Sequence, residues 1–146
     1  MRSLIGLALF VFSSIVFAEG ISVTHGWVAA TAPGQQVGGA YMDISSGEDA
    51  RLIHAESPAA EKVMIHVMTM KNGVMEMRHV KFLEIPAGKT VSLSPGKIHL
   101  MLMNIKKPLK SGDVVPIRLD FETKGRATSV NIDAKVMSMA SHMEMH

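Results

Sequence analysis

Hydrophobic and polar residues alternate along most of the chain between Ile21 and Val136, which is the pattern of half-buried β-strands. Turn signals interrupt the alternation at regular intervals, and no segment keeps a 3.6-residue amphipathic period over three turns. These signals are Ala32-Pro33-Gly34, Ser45-Ser46-Gly47, Lys71-Asn72-Gly73, Pro86-Ala87-Gly88, Ser94-Pro95-Gly96, Ser111-Gly112-Asp113 and Thr123-Lys124-Gly125. The pattern predicts one all-β domain, built as an antiparallel sandwich or barrel.

The two ends of the chain depart from this pattern. Met1-Arg2, the uncharged apolar run Leu4–Phe17 and the small residue Ala18 together are typical of a secretory signal peptide. The run is shorter than the roughly 20 residues that span a bilayer, so cleavage after Ala18 is favoured over retention as a membrane anchor. The last ten residues carry no strand pattern and are predicted to form a flexible tail. The predicted organisation is a signal peptide at 1–18, a β domain at 19–136 and a tail at 137–146.

The dipeptide Asn72-Gly73 predicts a two-residue hairpin turn of type I′. Counting outward from this turn pairs Met70 with Met75, Met68 with Met77, and His66 with His79. Side chains alternate between the faces of a strand, so these residues share one face with Met64. The segment 99–103 repeats the arrangement, with His99, Met101 and Met103 on one face and Leu100 and Leu102 on the other.

Four of these residues form a spaced pattern of metal donors, His-x10-Met-x21-His-x-Met, at His66, Met77, His99 and Met101. Thioether sulfur is soft and suits Cu(I), and imidazole also binds copper. His66 and Met77 are diagonal neighbours in the predicted hairpin, close enough to share one ion. A strand carrying His99 and Met101 beside the hairpin would complete a four-ligand Cu(I) site.

Ordinary packing is the alternative role for methionines on a strand. Core or rim packing is favoured for Met64, Met70, Met75 and Met103. Met68 is a candidate accessory ligand, His79 a candidate outer neighbour of the ligands, and His25 and His54 are predicted to be surface residues.

Composition narrows the classes of function. The chain has 146 residues, 13 methionines and no cysteine, so thiol chemistry and a blue-copper site with a cysteine ligand are excluded. The net charge is +2, from 15 basic and 13 acidic residues, and no basic stripe predicts nucleic-acid binding. No arrangement of a nucleophile with a base, or of paired carboxylates, stands out, so the chain is not predicted to be an enzyme.

The predicted tail is a second candidate for metal binding, because tracts rich in Met and His are typical of such sites. Its accessory candidates are His142, Met143, Met145 and His146. The imidazoles suit Cu(II) and the thioethers suit Cu(I). A solvated tail without function is the alternative.

Several motifs resemble those of the periplasmic copper chaperones called PCu(A)C, also known as DUF461. The resemblance covers nearly the whole chain after the signal peptide, and the family's metal motif falls without a gap on the four residues above. Two positions differ, since Val67 stands where the family often has Met, and Ala29 where it commonly has Arg. The motifs are Trp27, Thr31-Ala32-Pro33-Gly34, Val37-Gly38-Gly39-Ala40-Tyr41, Ser57-Pro58-Ala59-Ala60, Gly73-Val74-Met75-Glu76-Met77-Arg78, Ile85-Pro86-Ala87-Gly88, His99-Leu100-Met101-Leu102-Met103 and Lys107-Pro108-Leu109-Lys110-Ser111-Gly112-Asp113.

This resemblance implies a cupredoxin-like Greek-key β-barrel or sandwich that carries one Cu(I) near its surface in the periplasm. It also implies delivery of copper to the Cu(A) centre in subunit II of cytochrome c oxidase, together with a Sco-type protein. No stable membrane insertion is expected once the signal peptide is cleaved. A copper-sequestering resistance protein without a dedicated recipient is the alternative, because it would use the same ligands.

Overall fold

The computed structural model describes the backbone of residues 16–18 and 20–139 and the side chains of residues 20–139. The described residues form eleven β-strands, which confirms the predicted all-β class. The strands are β1 Val16–Ala18, β2 Ile21–Ala29, β3 Val37–Ser46, β4 Ala50–Glu56, β5 Ala60–Lys71, β6 Val74–Val80, β7 Leu83–Ile85, β8 Thr90–Leu93, β9 His99–Ile105, β10 Val114–Thr123 and β11 Arg126–Met137.

All eleven strands belong to one hydrogen-bonded sheet, in the order β6-β5-β9-β3-β2-β11-β10-β4-β7, with β1 beside β2 and β8 beside β3. Among the described residues the path is open, with β6 and β7 at its ends. One neighbouring pair is parallel, because 27–29 of β2 lies beside 135–137 of β11. This pair is the one exception to the predicted antiparallel pattern among the described strands, since parallel pairing joins strands far apart in the chain and leaves no local turn signal.

The sheet folds over one hydrophobic core, to which the inward side chains of nine strands contribute. On β5 the inward residues are Val63 and Ile65, and on β9 they are Leu100 and Leu102. Because side chains alternate, the predicted donors on these strands lie on the opposite, outer face. β6 contributes no fully buried side chain; residues 74–79 are exposed, and only Val80 packs against the core.

The hairpin between β5 and β6 confirms the predicted turn and register. Asn72 and Gly73 both have positive φ, at 51° and 79°, as a type I′ turn requires. The pairs counted from the sequence, from Lys71 opposite Val74 to His66 opposite His79, are all present. β5 pairs with β9 only as far as His66, so residues 67–78, here called the ribbon, are two-stranded at the edge of the sheet.

The predicted signal peptide and tail fall largely outside the described residues. Within the described part of the chain, Val16–Ala18 pairs with Ile21–Val23, and no helix is long and apolar enough to cross a membrane. Cleavage after Ala18 stays a prediction. The accessory tail residues His142, Met143, Met145 and His146 lie outside the described residues.

Candidate metal centre

One row of rings crosses the outer face of the sheet. His66 on β5 lies opposite His79 on β6 and opposite His99 on β9, with ring centroids 6.2 Å and 5.6 Å away. The row continues to Tyr41 on β3, whose ring centroid is 6.4 Å from that of His99. It ends at Trp27 on β2, whose ring centroid is 4.7 Å from that of Tyr41. The fold therefore makes neighbours of His66 and His99, which are 33 residues apart in the chain.

His99 is a buried and oriented donor. Its exposed fraction is 6% although it lies on the outer face. Its Nδ1 is 2.9 Å from the backbone oxygen of Lys97, and since a carbonyl only accepts, Nδ1 carries the proton. In the neutral ring this hydrogen bond puts the lone pair on Nε2, which is the form of imidazole that binds a metal. The sequence does not reveal this interaction, because the acceptor is a backbone atom and any residue type could supply it.

His66 and Met77 stand in direct contact across the hairpin. The His66 Nδ1 and Met77 Sδ atoms are 3.0 Å apart. In a tetrahedral site, metal–N and metal–S bonds of about 2.0 and 2.3 Å place the two donor atoms about 3.5 Å apart, so a small side-chain movement suffices to share one ion. Burial, followed by the nearby His99 and His79, lowers the pKa of His66. The imidazole is therefore neutral at pH 7, with a lone pair available for binding.

The two predicted thioether ligands lie on opposite flanks of the histidine row. Met77 lies opposite Met68, one row toward the hairpin turn. Met101 lies opposite Met64, one row in the other direction. This register separates the backbone positions of Met77 and Met101 by four residues, which is about 13 Å along the strand direction. The structure thus brings together His66, His99 and Met77, and Met101 joins them only by extending its side chain toward the row.

The chemistry of the donors favours a soft ion. Within the residues whose side chains are described, no group of three or more His, Cys, Asp or Glu is placed to hold a metal. The donors that flank the histidine row are the thioethers of Met77 and Met101. Imidazole nitrogen and thioether sulfur are both neutral donors, which suit Cu(I) and not the hard divalent ions that need carboxylates.

Tyr41 forms the wall of the site on the side of β3, a role that was not predicted. A Cβ atom at Gly39 would overlap the Tyr41 ring, so only glycine lets this ring lie along the strand. Gly39 pairs with Met101, which places the Tyr41 ring beside the proposed ligands. Burial raises the pKa of Tyr41, so its phenol stays neutral. The outward position of Tyr41 follows from strand alternation, but no local signal places β3 next to β9.

Comparisons with known proteins give the family. Residues 21–136 match the family described as "Putative lipoprotein LpqE-like", a match over most of the chain. The chain belongs to this LpqE-like family, the PCu(A)C family.

Relatives of this PCu(A)C protein agree with that assignment. "Putative lipoprotein Lxx21020" of Leifsonia xyli subsp. xyli is 33% identical over 125 residues, covering 85% of this chain and 75% of the relative. The structure of the copper-bound PCuAC domain from PmoF2 has a TM-score of 0.67 and 25% identity, covering 84% of this chain and 97% of that chain. The solution structure of CuI-DR1885 from Deinococcus radiodurans has a TM-score of 0.61 and 35% identity, covering 80% and 79% of the two chains. The predicted fold is confirmed.

In this PCu(A)C protein the ligand assignments stay predictions, and the structure shows where each candidate lies. Met68 is half-buried opposite Met77, so it can substitute for that ligand on the same flank. Met70 and Met75 lie at the exposed rim of the ribbon and not in the core. Met64 and Met103 are half-buried on β5 and β9, and His25 and His54 are exposed, as predicted.

Proposed function

We propose that this protein is a copper chaperone that binds Cu(I) through His66, His99, Met77 and Met101. It delivers the ion to the Cu(A) centre of cytochrome c oxidase subunit II, with a Sco-type protein as a further partner. The observation that carries the proposal is the pairing of two histidines on an outer sheet face, with a thioether on each flank. Two similar structures, a copper-bound PCuAC domain and CuI-DR1885, support copper as the cargo.

The four donors differ in exposure, and this difference suggests an order of exchange. His99 is 6% exposed and hydrogen-bonded through Nδ1, whereas Met77 is 50% exposed on the edge strand β6. An incoming Cys or His of a partner therefore reaches the ion from the side of Met77 and displaces that sulfur first. Thioethers bind without losing a proton, unlike thiols, so their exchange needs no proton transfer. The imidazoles of His66 and His99 release the ion last.

The proposed location is the periplasm, reached after cleavage of residues 1–18. A relative named as a lipoprotein supports a location outside the cytoplasm. Retention of residues 1–18 as a membrane anchor is the alternative. Mass spectrometry of the protein recovered from the periplasmic fraction separates the two, because cleavage leaves Glu19 as the first residue.

Cu(I) binding is tested by competition with a chromophoric Cu(I) chelator, using residues 19–146 and the double variant His99→Ala/Met101→Ala. We expect one tightly bound Cu(I) in the parent and its loss in the variant. His54→Ala is the matched control, because His54 is exposed on β4 and its side chain contacts Glu56, outside the histidine row. Binding that is indifferent to the double variant would contradict the proposed site.

Transfer separates a chaperone from the alternative, a sequestering protein without a recipient. The Cu(I)-loaded protein is mixed without oxygen with the metal-free Cu(A) domain of subunit II, with and without a Sco-type protein, and the copper content of each protein is measured after they are separated. Copper in the recipient supports delivery. If this protein keeps its Cu(I) in the presence of both recipients, sequestration is favoured. The exposure of Met77 favours exchange over storage.

The tail is a separate part of the proposal. His142 and His146 are proposed to take up Cu(II), with Met143 and Met145 as Cu(I) donors. Cu(II) titration of chains with and without residues 140–146 tests this, and an unchanged stoichiometry would refute it.

A further inference from the structure

The ribbon carries two successive pairs of methionines between the histidine row and the hairpin turn. Met68, Met70, Met75 and Met77 share the face of His66 and occupy the two rows between that residue and the turn. The exposed fractions of Met70, Met75 and Met77 are 66%, 51% and 50%. The other face of the ribbon carries polar, charged and β-branched residues, namely Val67, Thr69, Lys71, Val74, Glu76 and Arg78.

The register places the sulfur atoms of each row close together. In a two-residue type I′ hairpin the pair that flanks the turn, Lys71 and Val74, is the hydrogen-bonded one. Hydrogen-bonded and non-hydrogen-bonded pairs alternate, so Met70 with Met75 and Met68 with Met77 are both of the non-hydrogen-bonded kind. Side chains approach most closely at such pairs, with Cβ atoms about 4.5–5.5 Å apart. Flexible methionine side chains at that spacing can direct both sulfurs to one ion.

Packing does not account for the methionine pair nearer the turn, Met70 and Met75, here called the outer row. Met70 and Met75 are exposed and absent from the hydrophobic core, so they gain little from burial. No carboxylate lies on their face of the ribbon, since Glu76 is on the other side, and a hard cation therefore finds no ligand there. What the outer row offers is neutral, soft sulfur.

We propose that Met70 and Met75, with Met68, form a second Cu(I) site made of thioethers alone, which captures the ion and passes it to His66 and Met77. This inference rests on the proposed function for the identity of the cargo. The rows are about 7 Å apart, which long side chains can bridge. In each step a Cu–S bond to Met70 or Met75 breaks as a bond to Met77 or His66 forms, so no electron or proton moves and the ion stays Cu(I).

The direction of transfer follows from the donors. The outer row has no imidazole and is open to water, whereas the inner site adds His66 and the buried His99. The outer row therefore binds Cu(I) more weakly than the site at the histidine row. An ion captured at the outer row moves to the histidine row, where it is bound more tightly. A surface that only docks a partner through apolar contact would work equally well with leucine, so replacement of Met by Leu separates sulfur chemistry from docking.

The test is a titration of the mature protein, residues 19–146, with Cu(I) in the absence of oxygen, followed by NMR of assigned methionine methyl groups. We expect the first equivalent to shift Met77 and Met101, and a second equivalent to shift Met70 and Met75. The variant Met70→Leu/Met75→Leu should lose the second phase and load several-fold more slowly from a Cu(I) donor complex, while the affinity for the first equivalent is unchanged. Val74→Leu, at the same exposed tip but on the opposite face, is the matched control and should behave like the parent.

The outcomes separate this inference from the proposed function. A second phase confined to the tail methyls of Met143 and Met145, no second phase at all, or parental loading by the Leu variant would overturn the ribbon site and leave the histidine site standing. A first equivalent that shifts Met70 and Met75 but neither Met77 nor Met101 would support the ribbon site and overturn the four-ligand assignment.

Discussion

The glycine of the β5–β6 turn provides a perturbation that acts on the ribbon through the backbone alone. Gly73 has a φ of 79°, and a Cβ atom built there meets no atom within 4 Å. Gly73→Ala therefore introduces no steric clash, and its effect is the cost of holding an L-residue in the left-handed region. That cost is roughly 1–2 kcal/mol, which changes an equilibrium constant by a factor of about 5–30.

The ribbon should absorb this cost locally. Residues 67–71 of β5 are hydrogen-bonded to β6 alone, and residues 74–79 place no buried side chain in the core. An isolated two-stranded hairpin is only marginally stable, so the strained ribbon opens without unfolding the domain. Opening removes Met77 from His66 but leaves the His66–His99 pair, which β9 holds. We expect Cu(I) affinity to fall by no more than it falls in Met77→Leu, and the free energy of global unfolding to stay nearly constant.

Gly125→Ala is the matched control for this prediction. Lys124 and Gly125, with φ of 47° and 76°, form an equivalent turn between β10 and β11, and a Cβ atom at Gly125 also meets nothing within 4 Å. These two strands carry fully buried residues such as Leu119 and Val130. The same backbone cost should therefore lower the free energy of global unfolding by about 1–2 kcal/mol and leave Cu(I) affinity unchanged.

Urea unfolding and chelator competition, applied to both variants, measure the two quantities. We expect opposite responses, with loss of affinity in Gly73→Ala and loss of global stability in Gly125→Ala. Equal losses of global stability in the two variants would refute this prediction, as would a Gly73→Ala protein that binds Cu(I) like the parent while its ribbon amides exchange faster with solvent.

Two further predictions concern the scaffold. Leu100 is fully buried, whereas its chain neighbours His99 and Met101 lie on the outer face. Leu100→Ala should therefore lower the free energy of unfolding by about 2–5 kcal/mol in urea titrations. A loss well under about 1 kcal/mol would contradict the place of Leu100 in the core. Burial raises the pKa of Asp120, but hydrogen bonds from Arg118 and Ser129 outweigh it and lower the pKa below the ordinary 3.8. A lowered folded-state pKa stabilises the fold above pH 3.8, and this contribution is lost as the pH falls through the folded value. Asp120→Asn should therefore be less stable than the parent at pH 6 and approach it in strong acid, whereas a difference independent of pH would exclude this explanation.

Local signals in the sequence determined the elements and one half of the candidate site. Alternation of polar and apolar residues depends only on the two-residue period of a strand, so it identified the strands and the outward face that carries His66 and Met77. Asn72-Gly73 determined the register between β5 and β6, because few dipeptides adopt positive φ at two successive positions. The predicted hairpin pairs accordingly agree with the structure at every position that was counted.

Only the tertiary structure decided how the other half of the site meets the hairpin. It placed His99 opposite His66 and put Met101 and Met77 on opposite flanks, where the spacing of the motif alone suggested a single cluster. It also made β2 and β11 parallel neighbours and laid Tyr41 against the site. Pairing between strands that are distant in the chain is set by the joint packing of all their inward faces around one core. That packing depends on the whole chain at once, so no local pattern of residues encodes it.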